Sequence, residues 1–151
     1  MSDLVIMSFK PIYAREVLDR LKTCEIRYCV RPFRENSLVI VYASSPIKAV
    51  LGYFRAGYTT CIKSFRELEE LCRRLDCKIP RDNWEYVSER YRYSRRILLT
   101  VVKDPVYLDK TVKLSRIRLL IPGFNPPQSY KILRPDDPIA IKLLELVGVY
   151  P

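Results

Sequence analysis

Lys22-Thr23-Cys24-Glu25-Ile26-Arg27 sets three charged side chains at spacings of three and two, where a helical pattern gives way to a strand pattern. In an extended segment side chains alternate between faces, so Glu25 and Arg27 share one face and Cys24, Ile26 and Tyr28 the other. Lys22, at the helix end, leans over the charged face. Such a cation, anion, cation cluster holds an anionic or strongly polar ligand, the carboxylate keeping the two cations apart. The same spacing also describes a surface row of ion pairs, worth about 0–1 kcal/mol each.

The 151-residue sequence has no histidine, which removes Ser-His-Asp and Cys-His catalysis and every His-containing zinc site. Catalysis would have to run through Lys, Glu, Cys, Tyr, Ser or Thr. The cysteines at 24, 29, 61, 72 and 77 are odd in number and form no CxxC pair, which argues against a zinc ribbon. Most are expected as buried thiols, with a local Cys72–Cys77 disulfide only in an oxidising cell or a hyperthermophile. No metal and no cofactor is expected.

Twenty-seven Lys and Arg against 17 Asp and Glu give a formal charge of +10, which favours a polyanionic partner, nucleic acid first. Solubility or loose contact with anionic membrane would also use such charge. At this length, with 48% hydrophobic residues, one domain with a real core is expected. The N-terminal residues lack the build of a signal peptide, and no apolar run has transmembrane length. The expectation is a soluble, cytoplasmic protein that stays off membranes.

The elements that must position the charged cluster follow from periodicity. Leu4 to Phe9 reads as a strand, and Pro11 opens a helix with the stripe Ala14, Val17, Leu18 and Leu21, which delivers Lys22. After the Glu25–Arg27 strand comes the cationic turn Arg31-Pro32-Phe33-Arg34. Ser37 to Ala43 is a strand buried on both faces, ending at Ser44-Ser45-Pro46, whose hydroxyls and amides suit a phosphate as well as a plain turn. Ala49 to Tyr58 is a strand with a bend at Gly52.

Ser64 and Glu67 form a capping box for a helix with Phe65, Leu68, Leu71, Cys72 and Leu75 on one stripe. A second helix starts near Asp82, with Trp84 packed inward. Tyr86, Tyr91 and Tyr93 interleave with Arg90, Arg92, Arg95 and Arg96, a pattern that stacks bases and holds phosphates of single-stranded RNA. Ile97–Val102, Val106–Leu114 and Arg116–Ile121 read as strands. Asn125-Pro126-Pro127 leads a constrained loop with Gln128, Ser129 and Tyr130, and Asp137-Pro138 starts a last helix that Gly148 ends.

Lys22-x-x-Glu25-x-Arg27 resembles the GxKxxExR signature of the ASCH domains, a branch of the PUA-like superfamily. The resemblance extends through Ser8-Phe9-Lys10-Pro11-Ile12-Tyr13-Ala14, Val41 to Gly52 and Pro126 to Tyr130, most of the chain. It implies an α+β fold, a small PUA-like β-barrel with flanking helices, and a cleft that binds RNA or a nucleotide. The signature's glycine falls on Arg20. The cleft would take Lys22, Glu25, Arg27, Ser44, Ser45, Lys48, Gln128, Ser129 and Tyr130, with Arg92 and Arg95 in a wider footprint. An enzyme of the superfamily, a ribonuclease or small amidohydrolase, is the alternative, with Lys22, Glu25 and Arg27 as its catalytic group. Where the amidohydrolases carry a nucleophilic threonine this chain has Glu25. A protein-interaction domain is a third reading.

Overall fold

The computed structural model describes residues 3–149. Its strands are β1 (Leu4–Phe9), β2 (Cys24–Tyr28), β3 (Leu38–Ala43), β4 (Ala49–Ile62), β5 (Ile97–Lys113) and β6 (Tyr130–Leu133). Its helices are α1 (Pro11–Leu18), α2 (Phe65–Arg74), α3 (Arg81–Tyr91), α4 (Leu114–Leu120) and α5 (Pro138–Val147). The strands form one sheet in the order β2-β5-β4-β3-β1-β6. β1 and β3 run parallel, and the other pairs are antiparallel.

β3 is the central divider. Val39, Val41 and Ala43 face a core shared with α1, while Leu38, Ile40 and Tyr42 face a second core under α4 and α5. Every residue of the strand is buried, as its unbroken apolar run requires. A third cluster joins Ile26 of β2 to Leu68 of α2 and to Val87 and Tyr91 of α3.

The long strands β4 and β5 curl the sheet into a half-barrel. Their pairing register shifts three times, first between Val50 and Gly52. A Cβ added at Gly52 would strike the carbonyl oxygen of Val106, so only glycine lets the strands approach this closely. The expected barrel is thus an open one. Among the described residues no ladder joins the edge strands β2 and β6.

Several local expectations change. The two expected strands, 97–102 and 106–114, merge into one, β5, which ends at Lys113 and carries Asp104 at a φ of 50°. Residues 116–121 lie in and just past α4, not in a strand: Leu114, Ile117 and Ile121 are the buried positions, three and four apart, which is helical spacing. Leu21 lies beyond α1 and is exposed. α3 begins at Arg81 after Pro80, with no side-chain cap from Asp82. The caps at Ser64 and Asp137 and the left-handed Gly148 stand as expected.

The cysteines pair otherwise than expected, Cys24 with Cys77 and Cys29 with Cys61, leaving Cys72 free. The cause is local pairing between distant segments. Thr23 and Lys78 exchange hydrogen bonds of 2.8 Å, the Thr23 amide to the Lys78 carbonyl and the Lys78 amide to the Thr23 hydroxyl, which sets Cys77 beside Cys24. No helix among the described residues is long and apolar enough to cross a membrane.

Candidate functional site

The site begins at the exit of α1. The Leu21 amide donates to the Glu16 carbonyl (2.9 Å) and the Arg20 amide to the Val17 carbonyl (3.1 Å), the paired bonds of a Schellman end. Arg20 occupies its left-handed position, with φ of 65°. This is where the ASCH signature has glycine. The Lys22 amide also donates to Glu16, and the lysine side chain turns inward until 1% of it is exposed.

Its Nζ lies 2.8 Å from Glu25 Oε1, which also accepts from the Ile26 amide at 3.0 Å. Arg27 Nε stands 3.7 Å from the same oxygen. The expected cluster is therefore assembled, buried rather than on the surface. Burial by itself would raise the Glu25 pKa, but the Lys22 and Arg27 charges and the two hydrogen bonds outweigh it and hold the carboxyl below its ordinary value. Glu25 Oε2 is buried with no partner.

Arg27 faces the other edge of the sheet. Its terminal nitrogens donate to the Ser8 carbonyl (2.8 Å) and to the Ser129 carbonyl and hydroxyl (3.1 and 3.3 Å), and its guanidinium stacks over Phe9 at 4.6 Å. The Ser8 hydroxyl donates to the Pro127 carbonyl at 2.6 Å. The proline-rich loop is thereby tied to the end of β1.

Above the cluster opens a cleft of about 600 Å³. Lys22, Glu25, Arg27, Ser44, Ser45, Lys48, Gln128 and Ser129 all line it, as the sequence reading grouped them. Ser44 has little to offer a ligand as donor, because its amide and hydroxyl both bond the Phe9 carbonyl, at 2.9 and 3.1 Å. Tyr130 is outside the lining: its hydroxyl accepts from the Val30 amide and donates to the Arg31 carbonyl, bracing the turn after β2. Arg92 and Arg95 are exposed on the turn after α3, also outside the lining.

Of the wall, Tyr86, Tyr91 and Arg90 belong to the tyrosine and arginine pattern already singled out in the sequence, whereas Lys10, Tyr13, Asn83 and Arg118 were not assigned to the site. Tyr13 of α1 and Tyr86 of α3 pack at 5.7 Å, and Lys10 lies 5.1 Å over the Tyr86 ring. Arg90 stacks near both Tyr86 and Tyr91, at 5.8 and 5.9 Å, and lines the cleft. Asn83 and Arg118 come from α3 and α4 and carry no motif. Behind this wall the buried Glu16 carboxyl is pushed up to about 7, by burial first and then by Asp82, with Lys22 opposing.

No family model and no curated protein matches this sequence. Solved structures do. An ASCH protein from Zymomonas mobilis superposes with a TM-score of 0.76 at 19% identity, covering 95% of this chain and 94% of its own. The N-terminal domain of McrB from Staphylothermus marinus matches with a TM-score of 0.55 at 16% identity, over 91% and 92% of the two chains. A protein from Rhodopseudomonas palustris, Rpa0253, follows at 0.52 and 12%, over 97% and 93%. The chain thus has the fold of the Zymomonas mobilis ASCH structure, an α+β half-barrel with five helices among the described residues.

Proposed function

We propose that this protein is an RNA- or nucleotide-binding module whose ligand enters the cleft above Lys22, Glu25 and Arg27. The observation that carries the reading is the build of the cleft: aromatic side chains of α1 and α3 on one wall, with exposed cations at its rim, in a chain of net charge +10. Rings stack on bases and cations neutralise phosphates, a combination suited to single strands. Arg92 and Arg95 would extend the electrostatic footprint beyond the cleft. An intracellular role in RNA metabolism or translation-related regulation accords with this reading.

Binding without turnover is favoured over catalysis. A carboxylate held ionised by two cations is a weak proton acceptor. The Thr23 hydroxyl, on the threonine nearest Glu25 along the chain, accepts from the Lys78 amide and does not line the cleft. The test is fluorescence anisotropy with labelled single-stranded RNA across a salt series. Affinity should fall with salt at a log–log slope of roughly −0.7 per phosphate contacted. RNA binding no tighter than that of an uncharged polymer would overturn the reading.

A further inference from the structure

We infer that the cleft takes its ligand base first: the edge of one nucleobase meets Glu25 and Lys22 at the floor, and the phosphate stays at the cationic rim. This rests on the reading of the cleft as a nucleotide site and specifies which end of the nucleotide goes in.

The floor looks like a phosphate site by charge count and is not one by geometry. Both terminal nitrogens of Arg27 are turned to the Ser8 and Ser129 oxygens, and its Nε faces Glu25. Lys22 gives one N–H to Glu25 and has two left. Between them Glu25 Oε2 is buried, ionised and unpartnered. An anion arriving there would meet a bare carboxylate oxygen in a poorly screened setting, whereas an N–H group would supply the hydrogen bond the oxygen lacks.

Nucleobase edges place N–H donors beside nitrogen or carbonyl acceptors. Glu25 Oε2 accepts from the first kind, and the remaining Lys22 N–H groups donate to the second. Tyr13 and Tyr86 stand along the wall as stacking faces. Lys10, Lys48, Arg90 and Arg118 line the cleft with exposed side chains, where a phosphate can be neutralised without burying its charge. The cavity of about 600 Å³ is in the range that accommodates a ligand of nucleotide size, and far exceeds one phosphate group.

The experiment is calorimetric titration of the whole chain with the four ribonucleoside 5′-monophosphates, their nucleosides, ribose 5-phosphate and orthophosphate. At least one monophosphate should bind tenfold or more tighter than ribose 5-phosphate. Lys48→Gln with Arg118→Gln should weaken that monophosphate severalfold and leave its nucleoside unchanged. Glu25→Gln should weaken nucleoside and monophosphate alike by about tenfold and leave ribose 5-phosphate unchanged or tighter. Ribose 5-phosphate or orthophosphate matching every monophosphate on the wild type would overturn the base-first orientation while leaving a phosphate-binding cleft, and this comparison needs no variant to fold. Absence of binding by the monophosphates and by RNA would overturn both readings together.

Discussion

Arg27 of the edge strand β2 donates to the carbonyl of Ser129, 102 positions later in the chain and just before the opposite edge strand β6, at 3.1 Å. The half-barrel is closed at this point by a side chain instead of a strand ladder. Arg27 is therefore a structural strap as well as part of the cleft.

Arg27→Lys should test the strap, since lysine keeps the charge and loses the planar fork that reaches Ser8 and Ser129 together. Stability should fall by about 1–3 kcal/mol. In hydrogen exchange the Ser8 amide, which donates to the Ser129 carbonyl, should lose protection while β3 keeps its own. Unchanged protection at Ser8 would show that the loop holds without Arg27.

Lys22→Met should leave Glu25 buried without its main partner and cost roughly 3–5 kcal/mol. The double variant Lys22→Met with Glu25→Leu should recover much of that loss, because it removes the stranded charge as well. Urea denaturation of both single variants and the double variant gives the coupling. Additive losses would mean the two side chains stabilise the fold independently.

Glu16 sets a pH dependence. Its folded pKa, about 7, lies above the ordinary glutamate value, so the folded protein holds a proton that the unfolded chain releases between pH 4.5 and 7. The stability from this group is complete below the lower value and is lost as pH rises through the upper. Glu16→Gln should flatten that decline, raising stability at pH 8 by roughly 1–2 kcal/mol and changing it little at pH 4. Thermal melts at the two pH values decide, and equal shifts at both would contradict the assignment.

Arg20→Gly should stabilise the protein. The left-handed conformation costs a side-chain-bearing residue about 1–2 kcal/mol, partly offset by the greater freedom of glycine when unfolded. The expected net gain is about 0.5–1 kcal/mol. A lower melting temperature would mean that the Arg20 hydrogen bond to the Pro105 carbonyl, 3.3 Å long, matters more than the backbone strain.

The sequence showed most clearly what depends on neighbours along the chain. Alternation in a strand is local, so Glu25 and Arg27 could be set on one face, and a continuous apolar run was enough to bury both faces of β3. The segment 116–121 was read as a strand because six residues of mixed Arg, Ile and Leu fit either period, and the buried Leu114 that completes the helical stripe was assigned to the preceding strand. Disulfide partners depend on which segments the topology brings side by side, so Cys24 and Cys77 could not be matched by spacing. The same holds for Tyr13, Asn83 and Arg118, which acquire a role only when α1, α3 and α4 each bring a residue to the cleft.

The two disulfides are nested: the bond between Cys29 and Cys61 lies wholly within the loop closed by Cys24 and Cys77. Under mechanical tension applied through the termini, the 53-residue span of the outer bond carries no load, which hides roughly 175–190 Å of extensible length at 3.3–3.6 Å per residue. Reducing only the inner bond would leave that length hidden. Severing the outer one would release the chain as far as the inner knot, so pulling traces would report the two bonds in a fixed order. β2, with Glu25 and Arg27, lies inside the shielded span while Lys22 stands two residues outside it, and a force that strips β1 and β6 from the sheet would not stretch the strand that forms the floor of the cleft.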